Sequence, residues 1–240
     1  MPTAELTRKS ALLTNFHNIK DRIAAACAKA GTNPASVELL AVTKYADSED
    51  VKLLIEAGAI KTAGENKVQD ARAKWFNGPL APLKARVKLH FIGHLQTNKA
   101  KAAVETFDWI DSIDSLKIAV EVNRHAAAAG RTMPVMIQLK LNDSATQSGI
   151  KPAQAGELLA QVRLLKNLEP RGYMGIAPEG ASPAELKAVF TEAKKIFDRD
   201  FPVKTQGAPA NYLSLGMSGD YELAVEAGSS LPRIGSSLFA

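Results

Sequence analysis

The sequence has little cysteine and no long apolar run. Cys27 is the only cysteine among 240 residues, which excludes an internal disulfide and a metal site built from cysteines. We therefore expect a reducing compartment, the cytoplasm. Met1–Ser10 contains no apolar signal segment, and no later run approaches the roughly 18 apolar residues of a membrane helix, so we expect no membrane association.

Charge and aromatic content argue against a nucleic-acid partner. The formal net charge is +5, but basic residues alternate with acids, as in Asp198, Arg199 and Asp200, whereas nucleic acid requires clustered positive charge. Aromatic residues make up only 6% of the chain, which leaves few side chains to stack on bases. The composition, 46% hydrophobic and 23% charged, is that of a globular protein. Without an internal linker or an apolar heptad repeat, the chain is predicted to form one domain over residues 1–240 and to be a monomer.

Short apolar runs alternate with helical patterns along the whole chain. After an amphipathic helix over roughly Leu6–Ala30, the pattern predicts eight strands with helices between them. The predicted strands are Val37–Thr43, Ile60–Gly64, Val87–Ile92, Trp109–Ile113, Val135–Leu141, Arg171–Ile176, Tyr212–Leu215 and Leu231–Ile234.

Strands separated by helices pair in parallel, because each crossover returns the chain to the same edge of the sheet. Eight such units predict an α/β fold, a single (β/α)8 TIM barrel with an extra N-terminal helix. An open doubly wound sheet is the alternative, but its G-x-G-x-x-G turn is missing after the first strand.

Lys44 follows the most apolar of the predicted strands. Barrel enzymes and binding proteins place functional residues at the carboxyl ends of strands. Burial there favours a neutral amine, which is a nucleophile toward aldehydes and can form a Schiff base. The alternatives are a lysine that extends into solvent and one that pairs with a carboxylate such as Glu65.

The segments after predicted strands seven and eight combine hydroxyl groups, glycines and a guanidinium. The first places Ser218 and Gly219 directly before a helix, where free N–H groups favour an anion. The second adds Arg233, Gly235 and Ser236. Barrels frequently bind phosphate with these two loops, although each segment alone also fits an ordinary helix cap or turn. Together with the lysine after strand one, they indicate a ligand that carries an aldehyde and a phosphate.

Several segments match the motifs of a known family. They are Ala41–Lys44, Gly64–Gln69, His90–Lys99, Ser148–Gly149, Gly172–Met174, Leu215–Asp220 and Arg233–Gly235. On these segments the chain resembles the YggS/PROSC pyridoxal 5'-phosphate (PLP) homeostasis proteins over nearly its whole length. The resemblance implies a barrel similar to the N-terminal domain of alanine racemase.

The resemblance also implies that PLP is the cofactor and that Lys44 holds it as a Schiff base. The other cofactor-binding residues that it implies are Asn66, Met217, Ser218, Gly219, Arg233, Gly235 and Ser236. The serines and Gly235 would bind the phosphate, and Arg233 would approach the pyridine nitrogen. A charged arginine there disfavours protonation of that nitrogen and weakens the ring as an electron sink.

The function implied is intracellular PLP homeostasis, by buffering or by delivery to PLP-requiring apoenzymes, rather than turnover. Racemases of similar fold take a second base, a tyrosine, from another domain of a partner subunit, whereas this sequence ends at Ala240. Tyr45, next to Lys44, is expected to point to the opposite face of an extended strand. The alternatives are a racemase-like PLP enzyme of low activity and a cofactor-free Schiff-base aldolase. The family often has a lysine directly before the Ser–Gly pair, where this chain has Gln147. Any second aldehyde-binding role of that lysine is therefore in doubt here.

Two further pairs of polar residues are weaker candidates for a site. His90 and His94 form an H-x3-H pattern, but without a third ligand we expect no metal site, and His90 is expected at the barrel mouth. Asp111 and Asp114 are expected to be solvated or to cap a helix.

Overall fold

Strands and helices alternate in the order that the sequence predicts. The computed structural model describes residues 2–142, 144, 147–202 and 210–240. The strands in this part of the chain are β1 (Leu40–Val42), β2 (Thr62–Glu65), β3 (Lys88–Phe91), β4 (Trp109–Ile113), β5 (Met133–Lys140), β6 (Leu168–Ile176), β7 (Tyr212–Ser214) and β8 (Arg233–Ile234). The helices are α1 (Pro2–Ala30), α2 (Ser48–Glu56), α3 (Val68–Trp75), α4 (Ala100–Thr106), α5 (Leu116–Ala128), α6 (Ala155–Arg163), α7 (Pro183–Asp200), α8 (Tyr221–Glu226) and α9 (Ser236–Phe239).

The eight strands form one parallel sheet in the order β7-β6-β5-β4-β3-β2-β1-β8. Backbone hydrogen bonds bring its two edges together: the N–H groups of Ser230 and Leu231 donate to the carbonyl of Leu213 at 2.9 and 3.2 Å, and Arg233 donates to Gly216 at 3.0 Å. The sheet is therefore a nearly closed barrel with helices between the strands, and the predicted TIM barrel with an N-terminal helix is confirmed.

Several helices begin at side chains that cap their free N–H groups. Asp47 accepts from the N–H of Glu49 at the start of α2, and Ser115 accepts from Ile118 at the start of α5. At the start of α7, Ser182 and Glu185 form a capping box. These caps direct the chain from each strand end into the following helix. No helix in the described part of the chain is long and apolar enough to cross a membrane.

Buried apolar side chains fill the inside of the barrel. Leu40, Met136, Met174 and Leu231 pack together there, and Trp109 and Tyr212 pack against them. At one end Tyr212 donates to Glu38 at 2.7 Å, and burial together with this carboxylate raises the pKa of Tyr212. A filled barrel leaves space for a ligand only at an end, as in other TIM barrels.

Helix α1 holds α9 against the barrel. Arg8 donates to both carboxylate oxygens of Asp50 at 3.0 and 2.7 Å, and also to the carbonyls of Phe239 and Ala240 at 2.8 and 3.1 Å. Leu238 of α9 is completely buried. The segment after strand eight forms the short helix α9 and not the plain turn that is its alternative interpretation. A helix of four residues is too short to show a period in the sequence, and its packing on α1 decides its conformation.

Candidate functional site

A cleft of about 480 Å³ lies at the carboxyl ends of β1, β7 and β8. Seven of the eight site residues predicted from the sequence line it, namely Lys44, Met217, Ser218, Gly219, Arg233, Gly235 and Ser236. The remaining lining residues are Val42, Tyr45, Ala46, Phe239 and Ala240. Its volume is within the range of roughly 300–1,000 Å³ that is usual for small-molecule sites.

Size alone does not select this cleft. A wider groove of about 1010 Å³ lies beyond β5 and β6, beside Lys140, Asn142 and Glu179, and the predicted site residues do not line it. The smaller cleft brings together a lysine, two serines and an arginine from three strand ends. This combination of an amine with several anion-binding groups makes it the candidate site.

Lys44 lies in a turn after β1 rather than in the strand. The strand ends at Val42, and the N–H of Ala46 donates to the carbonyl of Thr43 at 3.1 Å. Because the backbone turns here, Tyr45 lines the same cleft as Lys44, and the prediction that it points to the opposite face is wrong. The Lys44 Nζ lies 5.0 Å from the centre of the Tyr45 ring, a cation–π contact, and Tyr45 is 87% exposed.

Glu65 is not the partner of Lys44. It is completely buried on the outer side of the sheet, where Thr43 Oγ1 and Trp75 Nε1 donate to it at 2.8 and 3.2 Å and Lys74 Nζ lies 3.4 Å away. Within the part of the chain that the structure describes, Lys44 forms no ion pair, and it is half-buried. Its amine is therefore accessible to a ligand in the cleft.

The loops after β7 and β8 meet at the hydroxyl group of Ser218. Its Oγ accepts hydrogen bonds from the backbone N–H groups of Gly235 at 3.4 Å and Ser237 at 3.3 Å. The Asp220 carboxylate accepts from the N–H of Met217 at 2.6 Å and so fixes the first loop. At Gly219 an added Cβ would find no atom within 4 Å, which leaves that backbone open to a ligand. Hydroxyl and backbone N–H donors arranged in this way can hold an anion.

Gly235 allows the two halves of the site to approach each other. A Cβ at this position would lie 3.1 Å from the carbonyl oxygen and 3.2 Å from the Cβ of Val42. The end of β8 therefore packs closely on the end of β1. This packing places the lysine after β1 and the hydroxyl groups after β7 and β8 around one cleft.

Arg233 forms the inner wall of the cleft. It is 4% exposed, and its guanidinium donates to the carbonyl and hydroxyl oxygens of Ser214 at 2.7 and 2.9 Å and to the carbonyl of Gly175 at 2.8 Å. Burial lowers the pKa of Arg233 to about 10, so the group is still charged at neutral pH. These bonds fix the plane of the guanidinium between β6, β7 and the cleft.

Asn66 is the predicted site residue that does not line the cleft. It is half-buried and follows β2, which lies next to β1. A Cβ at Gly93 would lie 2.1 Å from the carbonyl oxygen of Asn66, so the ends of β2 and β3 pack closely here. Its contact with a cofactor stays a prediction.

His90 and Asp111 form a pair inside the barrel. The Nδ1 of His90 lies 2.9 and 3.1 Å from the two carboxylate oxygens of Asp111, and its ring stacks on Trp109 with the ring centres 5.0 Å apart. Both residues of the pair are buried. The expectations of a histidine at the mouth and a solvated aspartate are wrong, because both side chains point inward from the strands.

The other histidine of the H-x3-H pattern lies apart from His90. His94 is partly exposed, and its Nδ1 lies 2.8 Å from Ser148 Oγ and 3.4 Å from an Asp114 oxygen. The described residues contain no group of three or more histidine, cysteine, aspartate or glutamate side chains that could hold a metal ion.

Sequence reasoning missed the apolar lining of the cleft. A turn after strand one would place Tyr45, the neighbour of Lys44, in the lining of the cleft. Nothing in the sequence pattern distinguishes Phe239, since its place in the lining depends on the packing of α9.

Comparisons with known proteins agree on one family. Residues 14–240 match the family model of the alanine racemase N-terminal domain. The pyridoxal phosphate homeostasis protein of Escherichia coli strain K12 is 36% identical over 226 residues, which is 94% of each chain.

Two solved structures are similar over nearly the whole chain. One is an unknown protein from Bifidobacterium adolescentis, with a TM-score of 0.87, 31% identity, and coverage of 97% of this chain and 96% of the other. The second is PipY of Synechococcus elongatus PCC7942 with PLP bound, with a TM-score of 0.74, 35% identity, and coverage of 92% of this chain and all of the other. The chain therefore belongs to the alanine racemase N-terminal domain family and, within it, to the pyridoxal phosphate homeostasis proteins.

Proposed function

We propose that this chain binds PLP, holds its aldehyde as a Schiff base on Lys44, and takes part in PLP homeostasis. The observation that carries the proposal is the convergence of the Lys44 amine, the hydroxyl groups of Ser218 and Ser236, and the Arg233 guanidinium on one cleft. The PLP-bound structure of PipY and the name of the E. coli relative support it.

The phosphate of PLP fits the donors after β7 and β8. Ser218, Gly235 and Ser236 hold it in this proposal, with Met217 and Gly219 beside them. The hydroxyl of Ser218 already faces two backbone N–H groups, so a phosphate oxygen can share these donors with little rearrangement.

Arg233 faces the ring of the cofactor in this proposal. PLP supplies an aldehyde that condenses with an amine and a ring that withdraws electrons. A guanidinium that stays charged at neutral pH would donate to the ring nitrogen and disfavour its protonation. The ring is then a weaker electron sink, which suits holding the cofactor better than amino-acid turnover.

The position of Lys44 suits reversible binding. Its side chain is half-buried at a cleft whose rim carries the exposed Tyr45, so incoming amines and water can reach the linkage. We propose that the chain acts in the cytoplasm as a monomer of one domain, and buffers PLP or hands it transiently to PLP-requiring apoenzymes.

Borohydride reduction tests the cofactor and its lysine together. The protein is loaded with PLP, its absorbance spectrum is recorded, and the reduced adduct is located by peptide mapping. We expect the label on Lys44. Lys44→Ala should lose the adduct while retaining part of the affinity, because the phosphate contacts remain.

Lys67→Ala is the matched control, since Lys67 is exposed and lies 3.9 Å from its partner Asp70 outside the cleft. This variant should be labelled as the wild type is. A reduced adduct in Lys44→Ala, or a label on another lysine of the wild type, would overturn the assignment of Lys44.

Incubation with L-amino acids distinguishes homeostasis from racemase-like activity. Chiral chromatography should show no D-amino acid whose formation depends on Lys44. Robust conversion of L- to D-amino acid that depends on Lys44 would overturn the homeostasis proposal and support the racemase-like enzyme.

A further inference from the structure

Arg233 is a buried cation whose direct hydrogen bonds all go to uncharged acceptors. Two of the acceptors belong to Ser214 and one is the carbonyl of Gly175. In the described residues no carboxylate lies within ion-pair distance of it. A buried charge is costly unless an opposite charge compensates it, so a compensating group is expected elsewhere in the barrel.

Asp111 is the buried carboxylate on the inside of the barrel. In the described part of the chain the completely buried acids are Glu65 and Asp111. Glu65 faces α3 outside the sheet, where it contacts Trp75 and Lys74. Asp111 instead faces inward and contacts His90.

Asp111 and Arg233 belong to opposite walls of the same interior. They lie on β4 and β8, which are diametrically opposite in an eight-stranded barrel, and alternate strands contribute side chains to common layers. Apolar side chains surround this interior, so charges act on each other over longer distances than in water. Accordingly, burial lowers the pKa of Arg233. The negative charge of Asp111 raises this pKa, and that of Asp220 raises it to a smaller extent.

His90 fixes the orientation of the Asp111 carboxylate. Its Nδ1 is within hydrogen-bond distance of both carboxylate oxygens. An ionised carboxylate can only accept, so a protonated Nδ1 is the donor that such a contact requires. The imidazole is in turn stacked on Trp109 with an interplanar angle of 11°. The negative charge is therefore held in one place within the barrel.

We propose that Asp111, oriented by His90, is the internal counter-charge of Arg233 and, through Arg233, tunes the affinity for an anionic ligand. Its negative charge keeps the guanidinium charged in the barrel wall and offsets part of the attraction that Arg233 exerts on an anionic ligand. The first role concerns the chain alone, and the second rests on the proposed binding of PLP. Asp111 thereby lowers the affinity for PLP, which suits a protein that releases PLP again.

A double-variant cycle on the ligand-free protein tests the first role. Thermal denaturation is compared for the wild type, Asp111→Asn, Arg233→Gln and the double variant. Both substitutions remove a charge and leave a polar amide, and the amide oxygen in D111N can still accept from His90. If the charges compensate each other, the loss of Tm in the double variant is smaller than the sum of the two single losses.

Additive losses of Tm would overturn the proposal. If D111N does not accumulate as folded protein, the folded yield of the double variant becomes the measurement. Recovery of folded protein supports compensation between the charges, and failure to recover it counts against the proposal. None of these outcomes depends on PLP. A failure of the proposed function is recognised separately, because the wild type would then bind no PLP.

Titration with PLP tests the second role. Asp111→Asn should bind PLP about tenfold more tightly than the wild type, because one negative charge inside the barrel, which opposes an anionic ligand, is removed. The absorbance band of bound PLP should also shift, since the charge near the ring changes. Glu65→Gln is the matched control: it removes an equally buried carboxylate outside the sheet and should leave both quantities unchanged.

Equal tightening in both variants would show a general loss of negative charge and overturn the role of Asp111. An unchanged dissociation constant and band in Asp111→Asn would restrict Asp111 to the stability of the barrel and would overturn its role toward the ligand.

Discussion

The hydroxyl oxygen of Ser218 accepts a hydrogen bond from the backbone N–H of Gly235 at 3.4 Å, which joins the loop after β7 to the turn after β8. The same oxygen accepts from the N–H of Ser237 at 3.3 Å. The donors that would bind a phosphate are thus held together by the chain itself. Such preorganisation lowers the entropic cost of binding a ligand.

Replacing Ser218 by alanine should weaken the binding of PLP. Loss of one hydroxyl contact with a phosphate corresponds to about 1–2 kcal/mol, or roughly a five- to thirtyfold higher dissociation constant. Fluorescence titration measures this change. Ser237→Ala is the control, because it keeps the backbone N–H and its side chain does not line the cleft. Equal effects of the two variants would contradict a specific contact at Ser218.

Replacing Arg8 by methionine should release α9 from α1. The variant loses the paired contact with Asp50 and the hydrogen bonds to the carbonyls of Phe239 and Ala240. We expect a loss of about 1 kcal/mol in the free energy of unfolding, and weaker PLP binding because Phe239 lines the cleft.

Arg22→Met provides the comparison for Arg8, since Arg22 also lies on α1 and pairs with Glu222 at 3.2 Å, but in an exposed position. Urea denaturation and PLP titration of both variants should show the larger losses for Arg8. Similar losses would indicate that the contacts with α9 do not hold the site.

Replacing Gly216 by alanine should displace the loop after β7. Gly216 has a φ of +86°, and an added Cβ would lie 2.6 Å from the Cβ of Ala224 and 2.8 Å from the Cα of Tyr221. Backbone strain and overlap together should cost at least about 2 kcal/mol of stability. Gly219→Ala, where an added Cβ meets no atom within 4 Å, should leave Tm nearly unchanged. Equal losses of Tm would refute the steric argument.

Ionised Asp200 should stabilise the folded protein, and this stabilisation should be lost at acid pH. Its carboxylate accepts from Arg199 at 2.7 Å and from Tyr173 at 2.6 Å, and these bonds, Arg199 first, lower the pKa of Asp200 despite its burial. A carboxyl group with a lowered folded-state pKa stabilises the fold above its unfolded pKa of about 3.9, and this contribution is lost as the pH falls through the folded value.

Asp200→Asn should therefore reduce Tm at pH 7, and the difference from wild type should shrink as the pH falls below about 4. Asp198→Asn is the control, since Asp198 is exposed and pairs with Lys194 on the surface of α7. A difference between wild type and Asp200→Asn that is constant with pH would contradict the stabilising role of the ionised carboxylate.

The barrel could be predicted from the sequence because each strand is a short apolar run followed by a clear helix start. Asp47, Ser115 and Ser182 cap the helices that follow β1, β4 and β6. The sequence also predicts that Lys44 lies near the segments after strands seven and eight, because parallel strands bring their carboxyl ends to one face of the barrel.

The remaining features depend on contacts that no local pattern contains. Tyr45 reaches the cleft because the chain turns after Val42, although the apolar run continues to Thr43. His90 and Asp111 each occupy an inward position on a strand, and their pairing across β3 and β4 is set by the register of the sheet. Such register is not encoded in either segment alone.

The attachment of α9 gives the first helix a connection to the ligand. Leu238–Ala240 receives hydrogen bonds from Arg8 and Asn15 of α1, while Ser236 and Phe239 line the cleft. A ligand that binds only the folded state lowers the population of locally opened states in the segments coupled to it. Amide hydrogens of α1 should therefore exchange more slowly with solvent when PLP is bound, so that a helix remote from the cofactor reports its occupancy.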